Sequence, residues 1–140
     1  MNRVLELLDV RKKYGNGPQA VQALRGVSFS VEQPGQMIVI LGPSGCGKTT
    51  LLSMIGGLDR PTSGKVRLDD QDLANMNPHQ LTRLRCRKIG FVFQVFNLIP
   101  NLTALENVML PMEFAGVNAK DEKRRATTLL EQVGLGLIDN

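Results

Sequence analysis

Apolar positions along this chain fall into alternating short runs and helical stripes. The densest run, Met37-Ile38-Val39-Ile40-Leu41, predicts a buried central strand. A glycine-rich loop comes next, and then Leu51, Leu52, Ile55 and Leu58 recur at helical spacing until Gly56-Gly57 stops the helix. Upstream, Val4 to Val10 is compatible with a strand. Ala23 to Val31 carries Leu24, Val27, Phe29 and Val31 as a second one. The polar loop Asn16 to Gln19 and the Pro34-Gly35 turn make these early strands an antiparallel set. Pro61 to Gly64 is another turn, and Lys65 to Leu68 a short alternating strand.

Further on, Asn77-Pro78 marks a helix start, with Leu81 and Leu84 facing inward up to about Lys88. Ile89 to Phe93 predicts a buried strand ending at Gln94, with the apolar loop Phe96 to Pro100 after it. Thr103 and Glu106 form a capping box for a helix to about Ala115, which Pro111 is expected to kink or interrupt. Asn118 caps a last helix with Ala126, Leu129, Leu130 and Val133 on one face, closed by Gly134. Leu137-Ile138-Asp139 reads as a loop after it.

The loop after the central run carries the chemistry. Gly42, Gly47, Lys48 and Thr49 match G-x-x-x-x-G-K-[ST], a pattern that arises by chance in roughly one chain of this size in a few hundred. A structural turn needs the glycines but not a lysine and two hydroxyls after them. Polyphosphate binding needs all of them. Gly42, Gly45 and Gly47 allow positive φ, so backbone N–H groups, including those of Ser44 and Cys46, can form an anion nest, and Pro43 is counted with this nucleotide-binding loop. The helix starting near Gly47 adds its unpaired N–H groups and positive dipole end. Lys48 is expected at the β- and γ-phosphates, Thr49 at Mg²⁺ and Thr50 at the α-phosphate.

Composition narrows the class. The 140 residues suit one domain, and 42% hydrophobic with 21% charged residues is ordinary for a soluble globular chain. No run of 18 apolar residues suggests a membrane span, and Glu6 and Asp9 interrupt the N-terminal pattern too early for a signal peptide. A net charge of +4 is scattered, there is no Trp and only one Tyr, so no nucleic-acid partner is expected. Cys46 and Cys86 lack ligand-spaced neighbours, and His79 reads as a surface residue at a helix start.

Taken in order, these features resemble the nucleotide-binding domain of ABC transporters. The resemblance rests on Tyr14 after the first strand, GPSGCGKT at Gly42 to Thr49, GLDRPTSGKV at Gly57 to Val66, and Gln94 ending a strand. It covers nearly the whole chain and implies an α/β phosphate-loop NTPase fold with an N-terminal antiparallel β subdomain and the start of a helical subdomain. It implies that Tyr14 stacks on adenine and that Gln94 meets Mg²⁺ and the attacking water, with ATP and Mg²⁺ as cofactors. The stretch Phe91 to Met112 looks most like the lipoprotein-releasing, macrolide-exporting and cell-division branch. An importer ATPase is the neighbouring alternative. The resemblance also implies a membrane permease subunit docking near Phe96 to Leu102, framed by Asn97 and Asn101, and a second nucleotide-binding domain. The protein would then lie at the inner face of the plasma membrane.

The sequence departs from that family's pattern beyond Gln94. No serine-glycine-glycine signature, no apolar strand ending in Asp-Glu and no switch histidine occur within residues 1–140. The expectation is a partial domain that binds ATP without hydrolysing it at a normal rate, since phosphoryl transfer depends on those positioned groups. In that fold the strands beside Ile38 to Leu41 and Phe91 to Phe93 come from elsewhere, so both runs are expected to lack neighbours. A catalytically dead nucleotide-binding fragment and a non-transport phosphate-loop kinase are the alternatives.

Overall fold

The computed structural model describes residues 3–136, and the chain forms two compact units that divide between Leu81 and Thr82. In the first, β1 (Leu5–Tyr14) pairs antiparallel with β2 (Val21–Val31) on one side and β3 (Ser63–Leu68) on the other. A two-residue β4 (Gln71–Asp72) extends the sheet, giving the order β2-β1-β3-β4. Register follows the apolar pattern: Leu5 faces Val31, Leu7 faces Phe29 and Val10 faces Val27. The expected antiparallel strands are present, and β1 and β2 are longer than their apolar cores because pairing carries on through Lys12, Lys13 and Tyr14.

A bulge interrupts β1 between Leu7 and Val10, with Asp9 at φ 45°. It is held by the Asp9 N–H donating to Ser28 Oγ at 2.8 Å and by Arg11 on the Asp9 carboxylate. The adjoining strand must come very close: a Cβ at Gly64 would run into the carbonyl oxygens of Leu8 and Asp9. The bulge returns Val10 to the buried face, so Leu7, Val10 and Val66 are all fully buried. On the same sheet the Glu6 carboxylate is buried and paired with Arg3 and with Arg67 at 3.0 Å. A buried carboxylate requires such partners.

The helix α1 (Lys48–Ile55) packs on β2 and β3. Its buried stripe is Leu51 and Met54, while Leu52 and Leu58 are half exposed. The expected stripe of Leu51, Leu52, Ile55 and Leu58 is corrected accordingly: the sheet lies against only one side of the helix, which leaves Leu52 out, and Leu58 falls beyond the helix end at Ile55. Gly56 caps the helix and Gly57 turns at φ 62° beneath Leu73 and Leu81. The helix α2 (Pro78–Lys88) starts where expected, with Asn77 and Gln80 exchanging side-chain-to-backbone hydrogen bonds at 2.9 Å. Leu81 and Leu84 are its buried residues.

Two expected strands are not strands here. Met37 to Leu41 and Ile89 to Phe93 join no ladder, and Met37, Leu41 and Val92 are almost fully exposed. An unbroken apolar run suits a parallel sheet covered on both faces, and a strand forms only against a neighbour. Among the described residues no segment pairs with either run, as the lack of adjacent strands led one to expect. Phe91 and Phe93 nevertheless stack at 5.5 Å on one side of their segment, as alternation along an extended chain requires.

In the second unit α3 (Ala104–Phe114) packs against α4 (Ala119–Gln132). The Thr103–Glu106 capping box is complete. The helix runs uninterrupted through Pro111, contrary to a break there. One missing N–H is offset by the cap at one end and by α4 alongside. The buried face of α4 is Glu122, Ala126 and Leu130, an i, i+4, i+8 stack, whereas Leu129 and Val133 are exposed. Gly134 closes the helix at φ 79°, as expected. The loop expected at Leu137 to Asp139 lies outside the described residues. Among those described, no helix is long and apolar enough to cross a membrane.

Candidate functional site

Residues Gly42 to Thr50 form one loop leading directly into α1. Gly47 is the N-cap, at φ 94°, and Leu51 N–H donates back to its carbonyl at 2.8 Å. A side chain is excluded there twice over. The backbone is left-handed, and a Cβ would stand 2.5 Å from the Ala23 carbonyl oxygen of β2. The glycine therefore lets the loop lie directly on β2. Gly45 is also left-handed, at φ 79°. The first-turn N–H groups of α1 have no partner within the helix, so Lys48, Thr49 and Thr50 present donors and the positive dipole end at the loop.

The Lys48 ammonium sits inside the loop. It donates to the carbonyl oxygens of Gly42 and Pro43, both at 2.7 Å, and lies 3.6 Å from Cys46 Sγ. These acceptors are neutral and exposed, and phosphate oxygens would make stronger charge-assisted bonds. Beside the loop, a cavity of about 320 Å³ is lined by Gln22, Leu24, Arg25 and Val27 of β2 and by Gly45 and Cys46. Arg25 is a cation at this cavity that sequence reasoning did not single out.

Tyr14 stands at the end of β1, opposite Val21 of β2. Val21 is two residues before Ala23, the point where Gly47 touches the strand, so the two features are about 7 Å apart along β2. The ring is not loose. Its hydroxyl donates to Asp59 Oδ2 at 2.9 Å, and Lys12 Nζ lies 4.8 Å from the ring centroid. Lys12 also binds Asp59 Oδ1 at 2.7 Å and the Arg60 carbonyl at 2.8 Å. Burial pushes the Asp59 carboxyl pKa up. The bonds from Lys12, the Arg60 N–H and Tyr14, with the Lys12 charge, outweigh it and leave the carboxyl below its ordinary range. Asp59 too was not singled out, though it lies within the segment Gly57 to Val66.

The structure thus brings Tyr14, Gly42, Pro43, Ser44, Gly45, Cys46, Gly47, Lys48, Thr49 and Thr50 into one unit. Gln94 lies in the other, at an exposed bend. After it, Val95, Phe96 and Leu98 are exposed and Asn97 is at φ 55°. Asn107 holds the end of this loop. It accepts from the Ile99 N–H at 2.8 Å and donates to the Ile99, Leu102 and Thr103 carbonyls at 3.0 to 3.2 Å.

Comparison with known proteins decides the family. Residues 24–140 match the family described as ABC transporter. The chain belongs to the ABC transporter family. An uncharacterized ABC transporter ATP-binding protein of Thermotoga maritima is 57% identical over 136 residues, covering 97% of this chain and 58% of that protein. The macrolide export ATP-binding/permease protein MacB of Syntrophobacter fumaroxidans is 50% identical, covering 95% of this chain and 19% of that protein. The lipoprotein-releasing system ATP-binding protein LolD of Saccharophagus degradans is 46% identical, with 94% and 58% covered. These relatives match the branch that the stretch from Phe91 to Met112 resembles. Among solved structures, a dimeric ATP-binding cassette in a post-hydrolysis state bound to ADP and Pi matches with a TM-score of 0.83. It is 41% identical, covering 93% of this chain and 57% of that one. The fold is that of an ABC ATPase cassette. The chain spans little more than half the length of the Thermotoga and LolD proteins.

Proposed function

We propose that this chain supplies the nucleotide-binding part of an ABC transporter ATPase that works in export or lipoprotein extraction. The observation that carries the reading is the Lys48 ammonium held at 2.7 Å from two loop carbonyls, at the start of a helix that rests on β2 through Gly47. The donor set fits a polyphosphate: a cation, successive N–H groups and a helix N-terminus within one loop. Lys48 binds the β- and γ-phosphates in this reading, Thr50 the α-phosphate, and Tyr14 stacks on adenine.

A bound Mg²⁺ would offset phosphate charge and draw its remaining ligands from phosphate and water. The residue proposed for it in the loop is Thr49, through its hydroxyl; Gln94 is proposed as a second ligand on the family resemblance alone. In this reading ATP hydrolysis is an activity of the assembled transporter, in which Gln94 couples metal and water to the permease.

The partners in this reading are a membrane permease subunit at Phe96 to Leu102 and a second nucleotide-binding domain. Exposed apolar side chains on a loop pinned by Asn107 support the first. The dimeric state of the solved cassette supports the second. The protein then works at the cytoplasmic face of the membrane. Titration with ATP, ADP and AMP in the presence of Mg²⁺ tests the reading. Affinity should fall as phosphates are removed, and equal affinity for AMP and ATP would contradict it.

A further inference from the structure

Tyr14 is the only tyrosine of the chain, and it has a carboxylate partner 45 positions away in sequence. The segment bearing that partner is fastened to the end of β1 at several points. Thr62 N–H donates to the Arg11 carbonyl at 2.8 Å, and Lys13 N–H donates to Thr62 Oγ1 at 3.0 Å. Arg60 Nη2 reaches the Met76 carbonyl at 2.9 Å, which fixes the segment from its other side. The Asp59 carboxylate therefore has a defined position. One oxygen takes the Tyr14 hydroxyl and the other takes Lys12. Lys12 in turn covers the ring from one direction, and 43% of Tyr14 remains exposed.

We infer that Asp59 is a positioning residue for base recognition: with Lys12 it fixes the Tyr14 ring at the rim of the phosphate loop, with one face left for a purine. The inference rests on the adenine role of Tyr14 proposed above. A free tyrosine at a strand end samples several rotamers, and holding one removes that entropy cost before the base arrives. Asp59 and Tyr14 act as one unit, so removing either partner of the bond should have the same consequence. The phosphate contacts, made by Lys48 and α1, should not sense the loss.

The test uses the whole chain with ATP and inorganic tripolyphosphate as probes, and Tyr14→Phe, Asp59→Ala and their double variant. With no tryptophan present, emission at tyrosine wavelengths reports Tyr14 alone. Each single substitution should weaken ATP about fivefold, the double no further than either, with tripolyphosphate affinity unchanged. Asp59→Ala should also brighten Tyr14 emission, because a hydrogen-bonded carboxylate quenches a phenol. Tyr14→Phe deletes one oxygen and keeps the fold, so it secures the result if Asp59→Ala is unstable. Unchanged ATP affinity in Tyr14→Phe, additive losses in the double variant, or equal loss of tripolyphosphate would overturn the inference. A Tyr14→Ala variant separates the two levels. If it binds ATP normally, the stacking role itself fails. If it binds ATP weakly while Tyr14→Phe and Asp59→Ala bind normally, only the tether fails.

Discussion

Gly47 and Ala23 meet so closely that the phosphate loop has no room for a methyl group between itself and β2. Gly47→Ala must therefore move the loop off the strand and strain a backbone at φ 94°. The expected cost is about 2–4 kcal/mol of stability, from strain and overpacking together. Thermal or denaturant unfolding measures it, and ATP titration of the same variant should show much weaker binding. Unaltered stability and affinity would mean that the contact is not maintained in solution.

Asn107 is the anchor of the exposed apolar loop. Asn107→Ala removes its bonds to Ile99, Leu102 and Thr103, at an expected cost of about 1–3 kcal/mol. Hydrogen exchange at the Ile99 amide is the sensitive readout. It should speed up in the variant while amides of β1 and β2 stay protected. A uniform change across the chain would point to global destabilisation instead.

Two carboxylates titrate low for different reasons. The Thr103 backbone N–H and hydroxyl hold the Glu106 carboxyl below its ordinary value of 4.5. At Asp59 burial acts upward from 3.8 but loses to Lys12, Arg60 and Tyr14. A carboxyl whose folded pKa is depressed adds stability in full above its unfolded pKa, and that stability is lost as pH falls through the folded value. Stability should therefore decline below about pH 4. Glu106→Gln and Asp59→Asn should each flatten that decline in unfolding curves measured as a function of pH. An unchanged acid slope in both variants would remove these groups from the account.

The apolar runs Met37 to Leu41 and Val92 to Ile99 expose side chains that a solitary chain cannot cover. Self-association and binding of a hydrophobic dye are expected, with both reduced by saturating MgATP as it favours the folded state. Sedimentation with and without nucleotide measures this. A nucleotide-free monomer that unfolds cooperatively would contradict it.

Much of this was legible in the sequence because it is local. The Thr103 capping box, the Asn77-Pro78 start, the Gly134 stop and the loop from Gly42 to Thr49 are each set by neighbours within a few positions. What depended on distant segments was less readable. Met54 rather than Leu52 is buried because only one side of α1 meets the sheet. Leu129 and Val133 lie outside the strip of α4 that is buried. Met37 to Leu41 has strand composition, but strand formation needs a second segment to pair with. Asp59 and Asn107 gave no warning, since a lone Asp after Leu58 or a lone Asn inside a helix is ordinary. Their roles exist only in the distances to Tyr14 and to Ile99.

The central claim is that the loop around Lys48 is a nucleotide phosphate site. Equilibrium titration of MgATP into the chain and into Lys48→Ala tests it most directly, with circular dichroism to confirm the same fold. Among the described residues Lys48 bonds only to its own exposed loop, so the variant should fold normally and lose at least about a hundredfold in ATP affinity, the scale of charge-assisted bonds to phosphate. Equal affinity in a folded Lys48→Ala chain would contradict the account.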